Sequence, residues 1–365
     1  MKYFFTSESV TEGHPDKICD KIADKILDTA IEQDKNSKMA VEATIKDNLI
    51  LIYGEAKTNA KLNYEKIAKD VIKEIGYEEE FQVITKISEQ SSEINHAVEK
   101  NNICAGDQGI MFGYATNETD TFMPMPIYYA HLLAKQLTKV RKEDKNTPLK
   151  PDGKTQVTIE YLNNKPNRID TIIISSQHTK DITQEQLHNY IKTNIIEPTI
   201  PKNLIDNNTK IYINTSGSFT IGGPFGDSGT TGRKIVVDTY GGFSKVGGGC
   251  FSSKDPSKVD RSAAYYARYV AKNIVAKNYC DRCEIQLSYA IGKEKPISIY
   301  IDTFNTEKTD IKNIYEYVKN NFNFSVDNII KELDLKRPIY YNLAAYGHFG
   351  RKDLNLTWEK IKEDE

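Results

Sequence analysis

From Arg233 to Lys272 the chain carries eight basic side chains: Arg233, Lys234, Lys245, Lys254, Lys258, Arg261, Arg268 and Lys272. Only Asp238, Asp255 and Asp260 oppose them, although the whole chain has a net charge of −2. The cations follow and mingle with the glycine-dense stretch Thr215–Lys258, which includes Gly222, Gly223, Gly226, Gly229, Gly232 and Gly247-Gly248-Gly249. Bare backbone N–H groups beside cations suit a polyphosphate chain, whereas a solvated basic face would not require glycines between its charges. A second cluster, Gly13-His14-Pro15-Asp16-Lys17, opens a helical pattern. Asp16 is there either a first-turn dipole partner or, facing bound phosphates, a ligand for Mg²⁺, which takes one or two carboxylates plus substrate oxygens. His14 suits donation to a phosphate or departing oxygen, and equally suits capping. Glu42 and Glu55 interrupt apolar β runs, where an acid is either on the solvent face or buried for a reason. Strand parity alone leaves the inner face open.

Other chemistries are missing. The sequence has no Gly-x-x-x-x-Gly-Lys-Ser/Thr, Gly-x-Gly-x-x-Gly, His-Glu-x-x-His or Gly-x-Ser-x-Gly. Cys280-Asp-Arg-Cys283 is a lone pair without two further zinc ligands nearby, so two ordinary thiols are expected. The 51 acidic and 49 basic residues in 365 argue against a global nucleic-acid or polybasic membrane surface. No apolar run reaches the ~18 residues of a spanning helix, the N-terminus turns polar too early for a signal peptide, and five scattered cysteines fit a reducing compartment. A cytoplasmic protein is expected.

The elements that must position these residues recur three times. A helix at Pro15–Asp34 precedes strands Met39–Ile45 and Leu49–Glu55 and a helix at 62–75 stopped by Gly76. A helix at 126–142 precedes strands Thr155–Tyr161 and Ile169–Ser175 and a helix at 183–196. A helix at 260–277 precedes strands Glu284–Tyr289 and Ile297–Asp302 and a helix at 310–321. Helix–hairpin–helix in triplicate predicts an α+β protein of three similar domains, each an antiparallel or mixed sheet covered by helices. The expected domains are 1–102, 103–221 and 222–365, interleaved in space. Between the repeats, 88–113, 147–154 and 215–258 fit no periodic template and are expected to be functional loops.

Read together, Gly13–Lys17, Gly106-Asp-Gln-Gly-Ile-Met-Phe-Gly113, Tyr114-Ala-Thr-Asn-Glu-Thr119 and Gly222-Gly-Pro-Phe-Gly-Asp227 resemble the signatures of the S-adenosylmethionine synthetase family. Gly232-Arg-Lys234, Asp238-Thr-Tyr-Gly-Gly242, Lys254-Asp-Pro-Ser-Lys-Val-Asp-Arg-Ser262 and Ala344-Ala-Tyr-Gly-His-Phe-Gly350 continue the match in order. The resemblance implies three interlocked domains with pseudo-threefold symmetry and a homodimer or homotetramer whose active sites lie between subunits. It implies the conversion of ATP, L-methionine and water into S-adenosylmethionine, phosphate and diphosphate, with two Mg²⁺ and one K⁺ per site.

By the same resemblance His14 contacts the triphosphate near the cleaved C5′–O bond, Asp16 is a Mg²⁺ ligand with Asp260 a candidate for the second metal, and Glu42 is the K⁺ ligand. Asp152 and Lys154 are an ATP-binding pair, and Phe219 stacks on adenine. Arg233, Lys234 and Lys254 meet the polyphosphate, so that His14, Lys154, Arg233 and Lys254 form the catalytic set. Cys250 meets ATP through its backbone. Glu55, Gln90 and Lys258 bind methionine, and Asp227 touches both substrates. The stretch 90–102 resembles a gating loop. Ser218, Cys250, Ser253, Cys104 and Glu93 depart from the family's usual residues, which bears on nucleotide affinity and loop kinetics rather than on the metal and phosphate chemistry. A thioether has no proton to remove, so the reaction needs alignment and a leaving group neutralised in advance, not a general base. Tripolyphosphate hydrolysis reuses the same charges. A tripolyphosphatase without methionine binding, or a non-catalytic partner subunit, should have lost residues that are all present here.

Overall fold

The computed structural model describes residues 1–89 and 103–363. Helix α1 (Pro15–Gln33) starts where the sequence places Pro at the first turn, and the His14 ring accepts the Asp16 N–H at 3.2 Å. Its Ile18, Ile22 and Ile26 are fully buried against strands β2 (Lys38–Lys46) and β3 (Leu49–Lys57), a hairpin turned by Asp47-Asn48. Helix α2 (Tyr64–Ile75) ends at Gly76, whose φ of 110° is the left-handed cap expected there.

The remaining elements are β1 (Lys2–Val10), β4 (Gln82–Ser88), β5 (Gly109–Thr116), α3 (Met125–Glu143), β6 (Leu149–Leu162), β7 (Lys165–His178) and α4 (Gln184–Ile191). Then follow β8 (Lys210–Ile213), β9 (Gly229–Thr230), α5 (Val259–Ala276), β10 (Arg282–Tyr289), β11 (Ser298–Asp302), α6 (Ile311–Asn321) and α7 (Val326–Glu332). Three sheets result, ordered β4-β3-β2-β9, β1-β6-β7-β8 and β11-β10-β5. Two are mixed, because β3–β4 and β7–β8 are parallel pairs.

Each sheet borrows one strand from a distant part of the chain. The N-terminal β1 lies antiparallel to β6, β5 lies antiparallel to β10, and β9 joins β2. The exchange is cyclic, which is what interlocking by a threefold plan requires. One core unites α1, α5 and two of the sheets; a second lies between α3 and the β6–β7 sheet.

The structure corrects the expected loops. Segment 147–154 is largely the first half of β6, and 88–113 yields β5 inside the Gly106–Gly113 motif. The helix expected over 183–196 is α-helical only to Ile191 and continues as a π turn, Lys192–Ile196. Strands β1, β4 and β8 carry no clear alternation and were not anticipated. Segment 215–258 does remain mostly irregular, apart from β9 and short turns such as Ile235–Asp238.

Candidate active site

The β1–β6 register sets Val10 opposite Lys154, so the strand end that leads into Gly13–Lys17 lies beside Asp152 and Lys154. The loop is fastened there: the Thr11 hydroxyl donates to the Pro151 carbonyl at 2.7 Å, and Tyr77 donates to the Gly13 carbonyl at 2.8 Å. A Cβ on Gly13 would sit 2.4 Å from the Pro151 oxygen, so only glycine permits this approach. Glu12 is gripped by Lys21 (2.7 Å), Arg141 (2.9 Å) and Lys142 (2.5 Å). Burial would raise its carboxyl, yet Lys21 and Lys142 outweigh burial and hold it below the usual range.

The glycine-rich segment completes the group. Gly223 N–H donates to Asp152 Oδ2 at 2.8 Å and Thr230 N–H donates to Asp16 Oδ1 at 2.9 Å. Lys234 Nζ lies 2.6 Å from Asp16 Oδ2, and Arg233 Nη1 lies 3.6 Å from Oδ1. The Phe219 N–H donates to His178 Nε2 at 3.0 Å, and the half-buried Phe219 ring lies against Gly222. One glycine-rich segment therefore joins two carboxylates far apart in sequence, Asp152 and Asp16. The acids Asp16 and Asp152 are buried beneath, while Lys154 and Asp227 are exposed and the Arg233 side chain is 52% exposed. A cationic surface rests on buried carboxylates.

The electrostatics follow from this layering. Burial first, then the Lys234 charge, push the His14 ring down to about 3; Lys154 adds to the shift while Asp16 and Asp227 oppose it. The imidazole is neutral at neutral pH. Burial would raise Asp16, but its bonds to Lys234 and to the Thr230 N–H keep it ionised, below its ordinary value. Asp152 is pushed up to about 6 by burial and by Asp227, against the Gly223 N–H and Lys154.

A second group lies along β2. Ala40 pairs with Glu55 on one side and bridges Lys254 on the other. The face of β2 carrying Met39, Val41 and Ala43 is inside, so Glu42 is on the outer face, where it accepts from the Tyr53 hydroxyl at 3.3 Å. Lys254 pairs with Asp260 at 2.5 Å, and Lys258 pairs with the buried Asp255 at 2.6 Å. Burial pushes the Cys250 thiol up, with Lys254 opposing it and Asp20 and Glu42 adding to it. The two groups touch at Gly232: its N–H donates to Asp20 Oδ1 at 2.9 Å, and a Cβ there would lie 2.7 Å from that of Cys250.

His14, Asp16, Asp152, Lys154, Asp227, Arg233 and Lys234 are thus brought together; Glu42, Cys250, Lys254 and Asp260 form the neighbouring group. Glu55 is exposed and Lys258 half-buried at its margin. Gln90, Glu93 and the expected gating loop 90–102 lie outside the described residues. Cys280 and Cys283 are buried and not disulfide-bonded. Several glycines serve backbone packing rather than ligand approach: a Cβ on Gly247 would lie 1.6 Å from the Ile110 oxygen.

Sequence reasoning missed the acids behind Asp16. Asp20, Asp24 and Asp28 follow at four-residue spacing and all are buried. Asp24 takes both guanidinium nitrogens of Arg261 at 2.8 Å, and Asp28 accepts the Tyr340 and Tyr341 N–H groups at 3.0 and 2.8 Å. That spacing is itself the signal, since i, i+4 acids share one helix face.

Comparison with known families shows what kind of protein carries this arrangement. Models of the S-adenosylmethionine synthetase N-terminal, central and C-terminal domains match residues 2–101, 102–219 and 221–360. The chain belongs to the S-adenosylmethionine synthetase family. It is a methionine adenosyltransferase (EC 2.5.1.6), forming S-adenosylmethionine, phosphate and diphosphate from ATP, L-methionine and water. The family requires a divalent metal and K⁺. Among the described residues no cluster of three or more His, Cys, Asp or Glu side chains forms a ready-made cation cage. That donor set still fits Mg²⁺, which is satisfied by one carboxylate, such as Asp16, with substrate phosphates and water completing its shell. No helix among the described residues is long and apolar enough to cross a membrane.

Proposed function

We propose that the surface formed by His14, Asp152, Lys154, Arg233 and Lys234 receives the triphosphate of ATP, with Phe219 stacking on adenine and Asp227 reaching both substrates. The glycine-rich segment binds two buried carboxylates from distant parts of the chain, Asp152 through Gly223 and Asp16 through Thr230, Arg233 and Lys234, and this carries the reading. Lys254 and the Cys250 backbone extend the phosphate surface, and Glu55, Gln90 and Lys258 hold methionine. Asp16 would hold Mg²⁺ and Glu42 would hold K⁺, with two Mg²⁺ and one K⁺ per site; bound there, the ions neutralise the leaving tripolyphosphate. The protein's own part is to align sulfur, C5′ and leaving oxygen, and to present fixed positive charge where negative charge develops. The neutral His14 ring suits hydrogen bonding to the departing oxygen without repelling the neighbouring cations. His14, Lys154, Arg233 and Lys254 then act on the tripolyphosphate a second time during hydrolysis.

The outward display of Lys154, Asp227 and Arg233 supports a site completed by a second copy, in a homodimer or homotetramer. Exposed apolar side chains on the sheets, Leu49, Ile84, Ile110 and Tyr300, favour such an assembly. We assign the sequence domains as 1–102, 103–221 and 222–365, and the location as cytoplasmic. Calorimetric titration with tripolyphosphate and Mg²⁺ tests the reading. Lys234→Met should lose about tenfold or more in affinity, the scale of a charge-assisted contact. Unchanged binding would refute the assignment.

A further inference from the structure

We infer that Lys17, the last residue of the Gly13–Lys17 motif, is a positioning residue that clamps both ends of the segment presenting Arg233 and Lys234. The inference rests on the assignment of those two cations to the phosphate chain. The Lys17 side chain is fully buried and touches no solvent, so it cannot itself meet ATP. Its ammonium donates to Asp20 Oδ2 at 3.0 Å and makes a short contact with Asp238 Oδ1. Asp20 Oδ1 holds the N–H of Gly232, the residue just before Arg233. Asp238 closes the helical turn that begins just after Lys234, its own N–H donating to the Lys234 carbonyl at 2.9 Å. His348 N–H fastens the Asp238 carbonyl from the C-terminal segment at 3.0 Å.

One buried charge therefore grips the cationic segment upstream and downstream of its two cations. Arg233 and Lys234 themselves point to Asp16, and Arg233 is half exposed. Unclamped, the segment would have to be ordered by the ligand, and the entropy of ordering it would be lost from binding. The motif thus divides its labour: His14 and Asp16 face the ligand, and Lys17 faces inward to fix the cations opposite them.

The test compares wild type with Lys17→Met and with Lys17→Met/Asp238→Asn, which removes one carboxylate along with the cation and so leaves the net buried charge of the trio unchanged. Tripolyphosphate affinity is measured by calorimetry, and KM is measured for ATP and methionine separately. The folded double variant is expected to weaken tripolyphosphate binding and raise the ATP KM by about tenfold while the methionine KM changes by less than about twofold. A general structural lesion would move both KM values together. Wild-type tripolyphosphate affinity in that variant overturns the clamp. In the wild-type protein, amide exchange at Gly232 should be as slow as in the interior of α1; exchange at the rate of an exposed loop also overturns it. Lys234→Met separates the two levels. If it too binds tripolyphosphate normally, the site assignment has failed; if it loses binding while the Lys17 variants retain it, only the clamp has failed.

Discussion

Gly229→Ala tests how closely the cationic segment must approach the head of α1. Gly229 lies in β9 opposite Ile45, and a Cβ there would sit 2.2 Å from both the carbon and the oxygen of the Pro15 carbonyl and 2.8 Å from the Asp16 nitrogen. Ordinary contact begins near 3.4 Å, so the backbones must part by 3.4 − 2.2, or about 1.2 Å. The obstacle is backbone on both sides, so no side-chain rotation relieves it. Overpacking of this kind costs about 1–3 kcal/mol, which lowers Tm by several degrees in a chain of this size. The functional effect should be larger than the thermal one. A shift of that size breaks the 2.9 Å bond from Thr230 N–H to Asp16 and draws Lys234 from the same carboxylate. Displacing catalytic groups by ~1 Å costs about 10²-fold in rate. Mass-spectrometric quantification of S-adenosylmethionine at saturating substrates, beside a thermal melt, reads both effects. Turnover within about threefold of wild type would refute the reasoning, because α1 and the segment would then tolerate separation.

Asp16→Asn should lower turnover by about 10²-fold or more, since it removes a pre-placed charge; near wild-type turnover would remove Asp16 from the site. Lys258→Ala should weaken methionine more than ATP in calorimetric titrations, and the reverse order would overturn the assignment. Asp152, raised to about 6 from 3.8, gives the native state a proton that the unfolded chain lacks. Its stabilising contribution is therefore full below pH 3.8 and disappears as pH rises through about 6, so Asp152→Asn should gain stability relative to wild type across that window. Chemical denaturation at a series of pH values checks this, and a constant difference would sink it. Arg261→Met strands the buried Asp24 and should cost about 3–5 kcal/mol in denaturant unfolding, with Arg261→Met/Asp24→Asn recovering much of the loss; equal losses would show that the charge imbalance is not the cause.

Much of the fold is legible in the sequence because periodicity reports one-sided burial. The Ile18, Ile22, Ile26 stripe states which side of α1 faces the core, whereas parity in Met39–Ile45 marks a strand without saying that Met39, Val41, Ala43 and Ile45 are its inner face. Strand β5 was hidden because Gly109 and Gly113 occupy positions where β-forming side chains would ordinarily announce a strand. A Cβ on Gly113 would lie 2.1 Å from the Ala267 backbone in α5, so helix packing dictates glycine against strand propensity. The exchange of β1, β5 and β9 leaves no local trace either, since pairing partners are a tertiary property. Within the site, motif strings found His14, Asp16 and the Arg233-Lys234 pair. They carry no mark of Asp20 or Lys17 as anchors, because charged residues at helical spacing ordinarily signal a solvated face, whereas this face of α1 is buried.

That helix explains how an aperiodic segment of more than forty residues is held at all. At 1.5 Å rise per residue, Asp16, Asp20, Asp24 and Asp28 stand about 6 Å apart along one face of α1. A buried carboxylate is costly unless it is bonded, and an acid inside a helix finds no free N–H in the helix itself. Each must therefore recruit donors from elsewhere. Asp16 takes Thr230, Asp20 takes Gly232, Asp24 takes Ser253 and Arg261, and Asp28 takes Tyr340 and Tyr341. Apart from Arg261 in α5 and Thr230 in the short β9, those donors belong to chain with little regular structure, which needs acceptors as much as the acids need donors. The two ends of the row differ: Asp16 stays ionised, whereas Asp28, with two backbone N–H groups against its burial, is pushed up to about 7. Negative charge is thus kept where Arg233 and Lys234 must be held, and relaxed at Asp28, where only backbone is anchored.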